Sequence, residues 1–341
     1  MNVAVIGAGG WGTALALLLQ TGDHTVRLWV RRPEFCERMR QQRENTTYLP
    51  GVPLPEQLQL TSSLAQAVEK AHLIMFAIPS HAMRAVASTL FREAASVLRE
   101  GPLLVSATKG IEEGSLLTMS AILREVGNAR LEEKIAVLSG PSFAAEVARQ
   151  CPTAVTVASK DSRSASIIQK IFSSHRFRVY TTTDVIGVEI GGAVKNVIAL
   201  AAGVSDGLGY GHSARAALIT RGLAEMRRLA VRLGAEPQTL SGLSGMGDLI
   251  LTCTSDLSRN YRVGIRLAQG ERLDTVLQTM SMIAEGVRTS RSVFALSHRL
   301  KVEMPIVEQV YALLHTEKPP RQVVTDLLSR ETKPEFPERE N

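Results

Sequence analysis

The stretch VAVIGAGGWGTALALLL, residues 3–19, decides the fold. Its first part belongs to an apolar run, Asn2–Ile6, that reads as a buried strand, and Ala14–Gln20 carries apolar residues at helical spacing. Between them lies Gly7-x-Gly9-x-x-Gly12. Gly7 permits the tight turn, Gly9 lets a pyrophosphate approach the backbone, and Gly12 lets the helix pack close on the strand. The helix N-terminus then offers unsatisfied N–H groups and partial positive charge to phosphates. Glycine-rich turns are common, so the motif is weak alone; directly after a strand and opening a helix, it reads as a dinucleotide cradle. Gly7, Gly9, Gly10, Trp11 and Gly12 are therefore candidate cofactor contacts.

Outward from this loop, short β-rich runs alternate with helical stretches. Strands are expected at Thr25–Val30, Leu73–Ile78, Leu103–Ser106, Ile135–Leu138, Ala154–Ala158 and Phe177–Tyr180, with helices at 82–99 and 163–172. Most of the strand runs are continuously apolar, as in a sheet covered on both faces. The expected class is α/β, a Rossmann-like doubly wound, mostly parallel sheet. After Thr183 the texture changes, and segments 184–204, 213–233, 258–269, 273–280, 285–299, 303–316 and 320–330 all read as helical. A dinucleotide domain at 1–181 and an all-helical substrate domain at 182–330 follow, with 331–341 a charged, proline-containing loose tail.

A chain of 341 residues suits two such domains. Its net charge of +6 is spread without a polybasic block, and only 4% of residues are aromatic. That favours small anionic partners over nucleic acid. Cys36, Cys151 and Cys253 are odd in number and far apart, which argues for a reducing, cytoplasmic setting. The seven histidines show no ligand spacing, so no metal is expected. Apolar runs such as LIMFAI at 73–78 fall far short of the roughly 20 residues a membrane span needs, so the expectation is a soluble protein without a membrane partner.

The second strand refines the cofactor. An acidic residue at its end would bind the adenosine ribose hydroxyls. Here it runs into Arg31-Arg32. Two guanidiniums suit a 2′-phosphate, so NADP(H) is expected in preference, with NAD(H) possible. The plainer alternative is two solvated loop residues.

In VEIGGAVKNVIALAAG, residues 188–203, Val194, Val197, Ile198 and Ala201 mark a core-facing helix around Lys195. Either the lysine snorkels to water, or it is held desolvated with a lowered pKa fit for acid–base work. Gly191 and Gly192 just before it are read as thinning the helix to leave room for a ligand.

Taken together, GAGGWGTALA (7–16), SATKGIE (106–112), SGPSFAAEV (139–147), GGAVKNVIALAAG (191–203), LSGMGDLILTCTSDLSRNYRVG (243–264) and AEGV (284–287) resemble the NAD(P)-dependent glycerol-3-phosphate dehydrogenases of the bacterial biosynthetic type. The likeness spans nearly the whole chain, and GAVKN, GDLILTC and SRNYRVG in that order are highly specific. Hydroxyisobutyrate and 6-phosphogluconate dehydrogenases have a similar layout but carry G-x-x-x-K-x-x-x-N. Here Ala199 stands at that asparagine's place, and Asn196 directly follows the lysine. The family often has a small polar residue at Gly10, whose absence predicts a more mobile loop.

The resemblance implies a two-domain fold like that of 6-phosphogluconate dehydrogenase, reduction of dihydroxyacetone phosphate to sn-glycerol 3-phosphate, supply of glycerophospholipid synthesis, and a homodimer. It implies Lys195 as general acid or base, with Lys109 as a second cation that also meets cofactor and substrate. Asp248 would join the catalytic group, hydrogen-bonding near Lys195 or the substrate hydroxyl and balancing the two charges, with Thr252 one helical turn later on the same face as a further substrate contact; on spacing alone Asp248 could be a simple N-cap. Ser258, Arg259 and Asn260 would take the substrate phosphate, with Arg259 also near the cofactor. Gly140, Ser142 and Asn196 would add substrate contacts. Ala144, Ile283, Glu285 and Tyr48 would lie along the cofactor. A ketopantoate-reductase-like enzyme and a non-catalytic NADPH sensor are the competing readings.

Overall fold

The computed structural model describes residues 1–335 apart from 96, 98–100, 128, 281 and 333. Most of the expected 331–341 tail and the far end of the expected 82–99 helix lie outside the described residues. The described strands are β1 (Asn2–Ile6), β2 (Thr25–Trp29), β3 (Glu44–Asn45), β4 (Leu49–Pro53) and β5 (Gln59–Thr61). They continue with β6 (Leu73–Phe76), β7 (Leu103–Ser106), β8 (Ile135–Ser139), β9 (Thr153–Ser159) and β10 (Phe177–Thr182).

Eight of them form one sheet in the order β10-β9-β8-β7-β6-β1-β2-β5. Its segment β5-β2-β1-β6-β7-β8 is all parallel and has the 3-2-1-4-5-6 order of dinucleotide-binding sheets. β9 then pairs with β8 antiparallel, and β10 runs parallel to β9. β1 shows why these strands are continuously apolar. Val3 and Val5 enter the core on one face, while Ala4 and Ile6 enter a second core on the other.

The seven expected strands are present. The small hairpin β3–β4 and the edge strand β5 are additions to the sequence reading. Their brevity explains the omission, because QLT in β5 offers too few residues to show a period. The helices Pro33–Gln42 and Met119–Gly127 are further additions. The first buries only Phe35, Cys36 and Met39 among charged neighbours.

Beyond β10 the described residues hold helices and no strand. Their hub is the central helix Val185–Gly207, packed against Gly211–Arg232, Asp248–Thr254, Arg259–Ala268 and Glu285–Leu300. By length and composition this 23-residue helix could cross a membrane, which corrects the expectation that every apolar run is short; 89% of its most apolar window is buried inside the protein. Backbones meet where it crosses Arg259–Ala268. A Cβ on Gly203 would stand 2.0 Å from the Tyr261 carbonyl oxygen, and one on Gly264 2.1 Å from that of Leu200. The crossing is therefore closer than side chains permit.

Candidate active site

The site forms at the C-terminal tips of the parallel strands, the position where open α/β sheets bind ligands. At the tip of β1, Gly7 has φ +119°, and a Cβ there would stand 2.5 Å from the Ala77 carbonyl oxygen. A Cβ on Gly12 would stand 1.9 Å from the Gly7 carbonyl oxygen. Helix and strand touch here through backbone alone. Around Gly9 nothing lies within 4 Å of a built Cβ, and the helix Gly10–Gln20 starts with no side-chain cap. An open approach to free helix N–H groups fits a dinucleotide's pyrophosphate.

Gly10 has a packing role that the sequence did not reveal. A Cβ there would come within 2.7 Å of the Tyr48 carbonyl oxygen and 3.7 Å of the Ala144 side chain. Tyr48 and Ala144 thus flank the loop. Asn45 secures it from beneath, donating to the Ala8 carbonyl at 3.0 Å and the Thr13 hydroxyl at 2.8 Å, and accepting from the Tyr48 N–H. The sequence reading missed Asn45, since a buried amide between two turns carries no periodic signal. Arg31 and Arg32 are exposed beyond the tip of β2, and Arg32 lies over the Phe35 ring.

Lys195 is 94% buried, so snorkelling is excluded. Its Nζ donates to Asp248 Oδ1 at 2.6 Å and to the Thr252 hydroxyl at 2.7 Å. Thr252 in turn donates to the Asp248 carbonyl at 2.6 Å. From the sheet side, Lys109 reaches the other oxygen, Asp248 Oδ2, at 2.7 Å and the Gly140 carbonyl at 3.2 Å. One buried carboxylate therefore bridges two ammonium groups contributed by different parts of the chain. Asp248 sits one residue inside its helix after the cap position Gly247, and its side chain serves the lysines instead of the helix end.

Each ammonium has three donors and spends two here, leaving one for a substrate oxygen. The trio carries a net positive charge, as an anionic substrate requires. Burial pushes the Lys195 pKa down to about 8, with Lys109 adding to the effect and Asp248 opposing it. That places its proton exchange near neutrality.

Gly191 and Gly192 make close packing possible, and the ligand space expected there is taken by the protein. A Cβ on Gly191 would stand 2.5 Å from the Ser244 carbonyl oxygen, in the π-helical turn Leu243–Gly247 that leads to Asp248. A Cβ on Gly192 would stand 2.7 Å from the Ser139 hydroxyl and 3.5 Å from Lys109 Cγ. These glycines let the two lysines approach one carboxylate.

Ser258 caps the next helix, accepting from the Tyr261 N–H at 3.2 Å. Arg259 uses one guanidinium nitrogen on the Ile283 carbonyl at 2.8 Å, and burial lowers its pKa. Asn196 and Asn260 face each other. Asn260 Nδ2 donates to Asn196 Oδ1 at 2.9 Å, and the Gly286 N–H donates to Asn260 Oδ1 at 2.9 Å. These expected substrate contacts thus first lock three helices together, and only part of each amide is left for a ligand. Ser142 donates to the Gly140 carbonyl at 3.0 Å, beside Lys109. Glu285 reaches across to the loop after β6, accepting from the Ser80 N–H at 3.2 Å and hydroxyl at 2.7 Å. Ser80 was another omission, for a serine after a proline in the loop beyond a strand is indistinguishable from an ordinary turn.

The family described as NAD-dependent glycerol-3-phosphate dehydrogenase N-terminus matches residues 2–165, and its C-terminus counterpart matches residues 184–325. The chain is 51% identical to a glycerol-3-phosphate dehydrogenase [NAD(P)+] of Syntrophotalea carbinolica, covering 98% of this chain and all of that one. It is 52% identical to the enzyme of that name from Geobacter sulfurreducens, over 98% of both chains. The crystal structure of glycerol-3-phosphate dehydrogenase from Coxiella burnetii superimposes with a TM-score of 0.90 at 39% identity, covering 96% of this chain and 99% of that one.

Proposed function

Because this chain belongs to the NAD-dependent glycerol-3-phosphate dehydrogenase family, we propose that it reduces dihydroxyacetone phosphate to sn-glycerol 3-phosphate at the Lys195–Asp248–Lys109 bridge. The observation that carries this reading is the double engagement of Asp248, at 2.6 Å by one buried lysine and 2.7 Å by the other.

When bound along the glycine loop, NAD(P)H supplies the hydride. The chain's own residues handle charge and proton. As the carbonyl oxygen gains negative charge, the free N–H of Lys195 stabilises it and delivers the proton; in the reverse direction, neutral Lys195 removes it. Asp248 fixes both ammoniums and offsets one of their charges, while Thr252 sets the direction of the Lys195 amine. Lys109, held against the Gly140 carbonyl, brings a second cation to the reacting end. Arg259, supported by the cap at Ser258, takes the phosphate. Residues 1–181 form the dinucleotide domain and 182–330 the substrate domain. NADP(H) is preferred through Arg31 and Arg32. The setting is the cytoplasm, the assembly a homodimer, and the product feeds glycerophospholipid synthesis.

Lys195→Ala tests the proposal. It should cut kcat for dihydroxyacetone phosphate by at least about a hundredfold, the low end of what general acid catalysis contributes, with the NADPH dissociation constant within twofold of wild type. Turnover near the wild-type rate would remove Lys195 from the mechanism. A rate with ketopantoate equal to that with dihydroxyacetone phosphate would overturn the substrate.

A further inference from the structure

We propose that the cofactor's 2′-phosphate is gripped by both units of the chain, by Arg31 beyond the tip of β2 and His81 in the loop after β6 on the sheet, and by Arg288 on the helical unit. This rests on the NADP(H) reading and extends it to residues outside the dinucleotide motif.

Glu285 and Ser80 supply the geometry. Their paired hydrogen bonds seat the first turn of the helix Glu285–Leu300 against the loop after β6. His81 follows Ser80 directly. Arg288 comes three residues after Glu285, on the same helix face, and its side chain is exposed. The charges of Arg288 and Arg31 both act on the His81 imidazole. Burial, then Arg288 and Arg31, hold the His81 pKa below its ordinary value, and Glu285 is the carboxylate that opposes them.

The charge balance around this cluster is the second observation. Two arginines near the cluster have carboxylate partners, Arg84 with Glu112 and Glu125 and Arg291 with Glu113, while Arg38 and Arg259 form no ion pair among the described residues. Among the described residues, Arg31, Arg32 and Arg288 form no ion pair. Glu285, the one acid among them, already accepts from both the N–H and the hydroxyl of Ser80. These like charges, from the sheet and from the helical unit, have no ion pair among the described residues to neutralise them. A 2′-phosphate, with about two negative charges and three acceptor oxygens, does so. In this arrangement the phosphate ties the helical unit to the sheet, whereas NADH, with a ribose hydroxyl there, leaves the cations apart.

Calorimetric titration of the full chain with NADPH, NADH and 2′-AMP tests this in wild type, Arg288→Ala and Arg31→Ala/Arg32→Ala. Arg288 is exposed, so its truncation leaves the fold intact. Arg288→Ala should weaken NADPH and 2′-AMP by about tenfold, the loss of one charge-assisted contact, while NADH stays within twofold. If Arg288→Ala leaves NADPH unchanged, or weakens both cofactors alike, while the double variant still discriminates, the grip is one-sided and the proposal is overturned. If neither variant discriminates, the NADP(H) reading itself fails.

Discussion

At the scale of single residues, Lys195 and Asp248 show what a sequence can and cannot reveal. A lysine among Val194, Val197 and Ile198 is conspicuous because the helical period places it in a core. What the period cannot supply is the partner. Asp248 lies 53 residues away, and a carboxylate at a helix start fits a cap equally well. Only the fold chooses between these roles. The lowered pKa of Lys195, about 8, has a kinetic consequence. In the proposed mechanism ketone reduction uses the protonated amine, so kcat/KM for dihydroxyacetone phosphate should fall as pH rises through about 8. Alcohol oxidation uses the neutral amine and should rise over the same range. Profiles measured in both directions would check this; parallel curves would show that another group titrates.

Among the elements, those with a long apolar period were readable, and those that work through brevity or backbone contact were not. β1 and β7 match their expected limits because both of their faces are buried. β5, three residues at the sheet edge, leaves no pattern to read. The helix crossing at Gly203 and Gly264 is also hidden, because a glycine in a helix announces nothing about its neighbour. That crossing aligns Arg259 and Asn260 with the central helix. Gly264→Ala would drive a methyl group against the Leu200 carbonyl oxygen, 2.1 Å away. Overpacking of this kind costs about 1–3 kcal/mol. The expected result is a melting temperature lower by several degrees and a raised KM for the phosphorylated substrate. An unchanged melt would mean that the two helices separate freely.

Across the whole molecule, two buried glutamates hold distant parts together. Glu189 on the central helix accepts from the Ser120 N–H at 2.8 Å and hydroxyl at 2.6 Å, tying the helical unit to the helix after β7. Glu225 accepts from the N–H groups of Ile306 and Val307 at 2.7 and 3.2 Å, capping the helix Pro305–His315. Burial raises both pKa values, that of Glu225 to about 7. A carboxyl whose pKa is higher in the fold than in the unfolded chain stabilises fully below its unfolded pKa. That stability is lost as pH rises through the folded value. For Glu225 the window runs from about 4.5 to about 7, and the full effect amounts to about 3 kcal/mol. Glu225→Gln should flatten the decline of melting temperature across this window. If the variant and wild-type curves run parallel, ionisation of Glu225 does not set the slope.

The reversal of direction at β9 turns the central helix into a measuring rod. β9 and β10 carry the chain back to the far edge of the sheet, so the helix starts at Val185 beneath the strand tips and has to climb. Seven residues later, roughly 10 Å along its axis, Gly192 packs against Ser139 at the end of β8, itself five residues and roughly 17 Å long, and Lys195 follows within one further turn. Strand length and helix rise therefore share one gauge. One residue inserted between Val185 and Lys195 would lift the amine by only about 1.5 Å but swing it by about 100°, aiming it away from Asp248. The reach of the Lys195 amine is thus fixed by counting, and the count begins at the antiparallel pairing of β8 with β9.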